Sequence, residues 1–155
     1  MRPKNCFCTV LVFAVIIGLV AISVNAETER FTVHPYSEVT RSLDLKENDR
    51  VSIGFTVIGE STNELDFRVT DPDGKTIMRC DRVGQISSSF SATKTGAFLL
   101  HFDNSPSSET KSVTLYYSIQ HYIMGIPQTL FLVMAIAVIL VIAVAVFVLM
   151  GKTTY

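Results

Sequence analysis

The sequence predicts an all-β fold, an antiparallel β-sandwich of the jelly-roll-like kind, followed by a C-terminal transmembrane helix. Apolar and polar residues alternate through the middle of the 155-residue chain, and turn-forming residues separate the alternating runs. Residues 130–150 contain no charged residue. Alternation with a period of two places each apolar set on one face of a strand, as in half-buried strands of two packed sheets.

The alternating runs define the strand candidates. The residues predicted to share one face of a strand are Val51, Ile53, Phe55 and Val57; Leu65, Phe67 and Val69; Ile86, Ser88 and Phe90; Phe98, Leu100 and Phe102; and Val113, Leu115, Tyr117 and Ile119. Arg41 interrupts another such set, formed by Val39, Leu43 and Leu45. We expect its aliphatic stem to cover the end of the sandwich, with the guanidinium in water. The alternative is a buried carboxylate partner or a ligand.

Turn-forming residues lie between these runs. The KEND stretch (46–49) separates two strand candidates, and DPDG (71–74) predicts a turn in which Pro72 fixes φ and Gly74 tolerates a positive φ. The NSPSS stretch (104–108) gives a further break. Short strands at this spacing are typical of a sandwich or a jelly roll.

Apolar segments at both ends of the chain predict a membrane protein. Residues 130–150 exceed the roughly 20 residues with which a helix crosses the hydrocarbon core. Near the other end, Arg2 and Lys4 precede an apolar stretch that ends at Ala26, which predicts a cleaved signal peptide or, alternatively, an uncleaved anchor. Positive residues favour the cytoplasmic side, so either case puts the middle domain on the extracellular or lumenal side. The predicted parts are a signal peptide at 1–26, a β-domain at 27–122, a transmembrane helix at 126–150 and a cytoplasmic tail at 151–155.

The composition of the middle domain argues against several functional classes. Its 10 basic and 14 acidic residues give a net charge of −4, so nucleic acid is not an expected partner. The three histidines lack metal-ligand spacing, and no serine lies in a nucleophile-elbow motif, so we expect no catalysis, metal or cofactor. Cys80 is the only cysteine of the domain, which excludes an internal disulfide. We expect it to be a buried thiol, with an intermolecular bridge or a reactive site as the alternatives.

Function is then expected in loops and exposed faces, because the core is committed to packing. The candidate partner contacts, taken from the predicted turns and outward faces, are Asp71, Asp73, His101, Asn104, Ser107 and Tyr116. His101 is expected to be a solvated or hydrogen-bonded strand histidine, or alternatively a pH-sensing contact. Tyr116 either packs against a partner or covers its own sheet. The DPDG turn and the Asp103-Asn104 pair could instead give oxygen ligands to a cation.

The stretch Gly96–Ile119 resembles the end of the GOLD domain in membrane proteins of the emp24/gp25L/p24 family. That family shows a glycine, an aromatic residue, a CF-N motif, a serine-containing loop and a final strand. The matching residues here are Gly96, Phe98, Phe102, Asn104, Ser107, Ser108 and the strand at 112–119. Residues 64–77 resemble the family's strand–turn–strand, and residues 87–98 resemble its strand before the glycine.

The chain also departs from the family pattern. His101 stands where the family usually carries a cysteine, so the domain disulfide of the family is missing. There is no room after Tyr122 for the family's coiled coil, and the GKTTY tail lacks the diphenylalanine and dilysine signals that engage vesicle coats. The resemblance therefore implies the fold and the anchoring of a divergent member.

These observations predict a single-pass, non-catalytic adaptor or receptor for proteins or lipids at the membrane. The resemblance implies a p24-like role in protein transport, in the secretory pathway of a eukaryote, while a prokaryotic member would work at the cell surface. Homo- or hetero-oligomers are both compatible with the sequence. The alternative function is that of an accessory subunit, docked in a membrane protein complex through its helix.

Overall fold

The structure, a computed structural model, describes residues 26–152. The predicted signal peptide, apart from Ala26, and the tail beyond residue 152 lie outside the described residues. The strands and the helix of the described part are β1 (Ala26–Val33), β2 (Glu38–Leu45), β3 (Arg50–Ile58), β4 (Leu65–Thr70), β5 (Thr76–Val83), β6 (Gln85–Ser91), β7 (Gly96–Asp103), β8 (Lys111–Gln120), β9 (Tyr122–Ile123), β10 (Ile126–Pro127) and α1 (Gln128–Lys152).

Strands β1 to β8 form two four-stranded antiparallel sheets, which confirms the predicted sandwich. One sheet has the order β1-β8-β3-β6, and the other has the order β2-β7-β4-β5. Within β1 to β8, consecutive strands lie in different sheets except for β4 and β5, which are joined by the predicted DPDG turn. Gly74 of that turn has φ 81°, the conformation for which glycine was expected there.

The inward-facing residues of both sheets form the core that the alternation predicts. Three phenylalanines from β3, β4 and β7 lie at its centre, each at most 1% exposed: Phe55, Phe67 and Phe102. Their ring centroids are 4.9, 5.1 and 5.3 Å apart, in tilted and edge-to-face arrangements that stabilise aromatic pairs. Since side chains fill the interior, recognition is left to the ends and outer faces of the sandwich.

The strand directions place two sets of loops at opposite ends of the sandwich. The loops after β1, β3, β5 and β7 share one end, called the loop end below, as the pairs Val33↔Lys111, Ile58↔Ser112 and Leu65↔Val83 show. The other end is called the exit end, because β8 finishes there at Gln120, beside Arg50.

Arg41 lies at the rim between the two sheets. Its Nε donates a 2.7 Å hydrogen bond to Glu29 on β1, and its guanidinium carbon lies 4.3 Å from the centroid of the Phe31 ring. The side chain of Arg41 is 32% exposed and that of Glu29 is 40% exposed. The arginine therefore reaches the surface, as expected, and its carboxylate partner is a surface residue.

Cys80 corrects one expectation, since its thiol is only partly buried. It lies on β5, which is the outermost strand of its sheet. Side chains on an edge strand are more accessible than those on a central strand, because an edge strand has a neighbouring strand on one side only.

Helix α1 has 25 residues and begins directly after Pro127. Its segment Gln128–Val146 has a mean hydropathy of 3.2, and none of it is buried. By length and composition this helix can cross a membrane. It begins two positions later than the predicted span because Ile126 and Pro127 are extended.

Candidate functional site

A groove of about 430 Å³ lies at the loop end of the β-domain. Its walls come from the β3–β4 loop, the start of β4, the end of β5 and the β7–β8 loop, and most of its lining residues are polar. The strand order brings these four segments together, because β4 lies between β5 and β7 in one sheet.

Asn104 fixes the β7–β8 loop at the edge of the core. It is 1% exposed, and its side-chain amide donates hydrogen bonds to the carbonyls of Glu109 (2.8 Å), His34 (3.1 Å) and Val33 (3.4 Å). Its Oδ1 is one of two buried side-chain oxygens that lack a hydrogen-bond partner among the described residues; the other is Oδ1 of Asp49, at the exit end. Asn104 therefore lines the groove with an amide whose donor is committed to backbone carbonyls, while its buried Oδ1 lacks a partner among the described residues.

Lys111 joins the two loops that form the walls. It is fully buried, and its ammonium group donates to the hydroxyl of Thr62 at 2.7 Å, to the carbonyl of the same residue and to the carboxylate of Glu109. That carboxylate also accepts the backbone N–H groups of Ser61 (2.7 Å) and Thr62 (2.9 Å). This network gives the groove a fixed shape.

The same network sets the charge of the Glu109 carboxyl group. The hydrogen bond from Lys111 lowers its pKa well below the ordinary value, and the two backbone N–H groups lower it further. Glu109 is therefore ionised over the whole neutral and mildly acidic range. Its charge is already balanced by Lys111 at the groove wall.

Asp66 and Asp103 lie directly opposite each other on β4 and β7. Oδ1 of Asp66 accepts the backbone N–H of Arg82 at 2.8 Å, and Oδ1 of Asp103 accepts that of Ser105 at 2.8 Å. Both residues line the groove, together with Glu64. The groove thus brings together carboxylates that are distant in the sequence.

A β-bulge places Arg82 in the same groove. Leu65 pairs with Val83 and Phe67 pairs with Cys80, so two residues of β5 lie opposite Asp66. Arg82 takes a φ of 51° there, which is uncommon for a residue with a side chain. Bulges of this kind re-aim side chains at the edges of sheets.

Of the six predicted contact residues, only Asn104 and Ser107 line the groove. Asp71 and Asp73 lie at the exit end, in the turn after β4. Oδ1 of Asp71 accepts the N–H groups of Asp73 (3.0 Å) and Lys75 (2.9 Å), and Asp71 is only 5% exposed, so it shapes the turn. Asp73 is exposed and forms an ion pair with Lys94.

His101 and Tyr116 lie on outer faces, as their parity predicts. The Nε2 atom of His101 is 3.1 Å from Oγ1 of Thr70, and its Nδ1 contacts Glu38, so this is the expected hydrogen-bonded strand histidine. Tyr116 is 38% exposed and lies against Gly54 of the neighbouring strand. It therefore covers its own sheet, which is one of the two arrangements expected for it.

Sequence reasoning missed Glu64, Asp66 and Arg82 as members of the site, and it took Lys111 for the end of a polar loop rather than for a buried residue. A signal for Lys111 was present, since it has the inward parity of Val113 and Leu115 at the start of β8. In the described part of the chain, no group of three or more histidine, cysteine or acidic side chains is arranged to hold a metal ion. The groove offers ionised carboxylates and hydrogen-bond acceptors in a fixed frame, which suits binding.

A protein-family model, described as emp24/gp25L/p24 family/GOLD, matches residues 30–129. No curated protein matches the chain. Among solved structures, the periplasmic lysozyme inhibitor PliG of Aeromonas hydrophila is similar, with a TM-score of 0.50 and 19% identity over 63% of this chain and 89% of that chain. The Yersinia pseudotuberculosis-derived mitogen has a TM-score of 0.48 and 16% identity, over 65% and 91% of the two chains. At 19% identity the likeness to PliG shows the fold alone.

Proposed function

The chain belongs to the emp24/gp25L/p24 family of GOLD proteins, and from that membership we propose that it is a membrane-anchored, non-catalytic adaptor whose β-domain binds protein partners. The observation that carries this proposal is the extent of the match. Residues 30–129 run from β1 to the first turn of α1, so the family's pattern takes in the sandwich and its junction with the apolar helix.

The side chains of the groove support binding rather than catalysis. Asn104, Glu109 and Lys111 direct most of their hydrogen bonds to the loops that hold them. Outside the groove, His101 contacts Glu38 and His121 contacts Asp49, each on a different part of the sandwich. Polar groups that are hydrogen-bonded within the domain shape a binding surface. A catalytic base would instead have to reach the proton of a bound substrate.

The p24-like version of this proposal is a single-pass protein of the secretory pathway that takes part in protein transport, with the β-domain on the lumenal side. Helix α1 supports the anchoring. The departures from the family bear on assembly: β8 ends at Gln120 and α1 begins at Gln128, which leaves no length for a coiled coil. Association with other chains, as homo- or hetero-oligomers, would then involve the β-domain or α1.

An accessory subunit is the second candidate function, and the surface of α1 favours it. The helix is apolar from Leu130 to Met150, so either lipid or the helices of a larger complex can surround it. In that case partners would be held through α1, and the sandwich would cover the complex.

Co-purification from native membranes in mild detergent tests the proposal. The full chain is compared with a variant in which residues 130–150 are replaced by an unrelated transmembrane helix, and bound proteins are identified by mass spectrometry. An adaptor keeps its partners after the replacement, and coat components or secretory cargo among them support the transport role. Loss of every partner after the replacement refutes the adaptor and supports the accessory subunit.

A further inference from the structure

We propose that the groove at the loop end is the partner-binding site and that it takes a basic protein segment, one that presents lysine or arginine side chains. This inference rests on the proposed adaptor function and names the site and the chemistry of its partner. The groove is large enough for a few side chains of a short segment, since small-ligand sites span about 300–1,000 Å³.

The first support is unbalanced negative charge. Asp66 and Asp103 each use Oδ1 for a backbone N–H, while their Oδ2 atoms have no hydrogen bond or ion pair within residues 26–152. Of the neighbouring guanidinium groups, Arg68 pairs with Glu38 and Arg79 pairs with Asp81. Arg82 lines the groove as well, but it stands against three carboxylates besides Glu109, namely Glu64, Asp66 and Asp103. The groove therefore keeps an excess of negative charge, and neither aspartate has an ion pair within residues 26–152.

The second support is the buried oxygen of Asn104. The Nδ2 atom faces three carbonyl groups, which fixes the orientation of the amide and identifies the remaining atom as Oδ1. A buried acceptor without a partner costs free energy, unless a ligand or water supplies a donor. The two aspartates and this groove-lining asparagine thus each have an oxygen without a donor within residues 26–152, and lysine and arginine are the side chains that only donate.

Two features of the backbone point to the same place. Like charges directly opposite each other destabilise a sheet, and the Asp66–Asp103 pair is such an arrangement. Beside the β7–β8 loop, Tyr36 has a φ of 55° and donates its N–H to the carbonyl of Ser107 at 3.2 Å. Tyr36 is 70% exposed, so an aromatic face is available to a cation beside this loop.

The test measures binding of fluorescent, lysine- and arginine-rich decapeptides to the full chain in nanodiscs of uncharged phosphatidylcholine, by anisotropy. The groove variant is D66N/D103N, in which asparagine oxygens still accept the N–H groups of Arg82 and Ser105. The matched control is D44N/E47Q, which removes two exposed charges at the exit end. Peptides with glutamate in place of the basic residues report on charge selectivity.

We expect the chain to bind the basic peptides, and D66N/D103N to bind them about tenfold more weakly, because the variant removes two of the negative charges that attract them. D44N/E47Q should bind like the unmodified chain, and the acidic peptides should not bind. Equal weakening in both variants, or no binding of basic peptides by the unmodified chain, overturns the assignment of the groove. Neither result bears on the adaptor function itself, which fails only if the anchor replacement removes every partner.

Discussion

The ring of Tyr116 lies directly over Gly54, its cross-strand neighbour on β3. A Cβ atom built on Gly54 would lie 2.1 Å from Cε2 of that ring, well inside van der Waals contact. The glycine therefore provides the space in which the tyrosine covers the sheet. This relationship accounts for a glycine in the middle of a central strand, where it is otherwise unfavourable.

The first prediction is that Gly54→Ala destabilises the β-domain by about 1 kcal/mol, because the ring of Tyr116 must move out of contact. The low end of the range for overpacking applies, since the ring is partly exposed and can shift. Urea denaturation of the full chain in nanodiscs, followed by tyrosine fluorescence, measures the change.

The control for this prediction is the same substitution in a Tyr116→Ala background. There the clash is gone, and alanine should be neutral or stabilising by about 0.5 kcal/mol, because it loses less backbone entropy than glycine. A double-mutant cycle with a coupling near zero would show that the ring does not constrain Gly54.

The second prediction concerns the aspartate pair of the groove. Asp66→Asn and Asp103→Asn should each stabilise the domain by about 0.5 kcal/mol, because either change removes the same cross-strand repulsion. A gain of this size raises Tm by about 2–4 °C in a domain of this length. Thermal unfolding at low salt measures it.

Additivity and salt dependence distinguish relief of the Asp66–Asp103 repulsion from an unspecific gain in stability. The double variant should gain little more than either single variant, and the gain should shrink at high salt as the repulsion is screened. Additive effects that do not depend on salt would contradict the cross-strand origin. A variant that is more stable but binds basic peptides less well would show that the repulsion between the two aspartates costs stability and is retained for binding.

The third prediction is that Lys111→Met destabilises the domain by about 3 kcal/mol, because it leaves Glu109 and the carbonyl of Thr62 without their buried cation. Denaturant midpoints measure the change. Lys46→Met at the exposed KEND turn is the matched control and should change stability by less than about 0.5 kcal/mol. A similar loss in both variants would mean that the burial of Lys111 is not responsible.

The fourth prediction follows from the lowered pKa of Glu109, whose first cause is the hydrogen bond from Lys111. As pH falls, the unfolded chain takes up the proton at the ordinary glutamate pKa, while the folded chain resists it. The stability contributed by this ionised group is therefore complete above the ordinary value of 4.5 and is lost as pH falls toward the folded-state value.

Stability curves of the unmodified chain and Glu109→Gln between neutral and acidic pH test this. The difference in unfolding free energy should be largest at neutral pH and should shrink below pH 4.5, the ordinary glutamate pKa. A difference that stays constant across this range would show that the pKa of Glu109 is not lowered by folding.

The sequence predicted the core well, because residues such as Phe55, Phe67 and Phe102 lie in regular alternating runs. It did not assign strands to sheets, since most consecutive strands cross between the two sheets. The edge strand β1 was not among the alternating runs, because only its end, Phe31 and Val33, contacts the core. In β5 the bulge at Arg82 shifts the register and breaks the alternation.

The candidate site was harder to predict than the fold. The polar β7–β8 loop was recognised, and the two contact residues predicted in it, Asn104 and Ser107, do line the groove. The rest of the groove depends on tertiary structure, because Asp66 and Asp103 meet only when β4 pairs with β7. The DPDG turn also led to the prediction of Asp71 as a partner contact. That side chain is instead buried and hydrogen-bonded within the turn.

The central claim, that the β-domain and not the helix recognises partners, is tested most directly by site-specific photo-crosslinking in native membranes. A crosslinking residue is placed at Ser108 on the groove, at Glu47 on the exit end, or at Ile139 on α1. The account predicts that Ser108 yields protein adducts, that these survive replacement of residues 130–150, and that D66N/D103N strongly reduces them. Adducts from Ile139 alone would contradict the account and identify the chain as a subunit held by its helix.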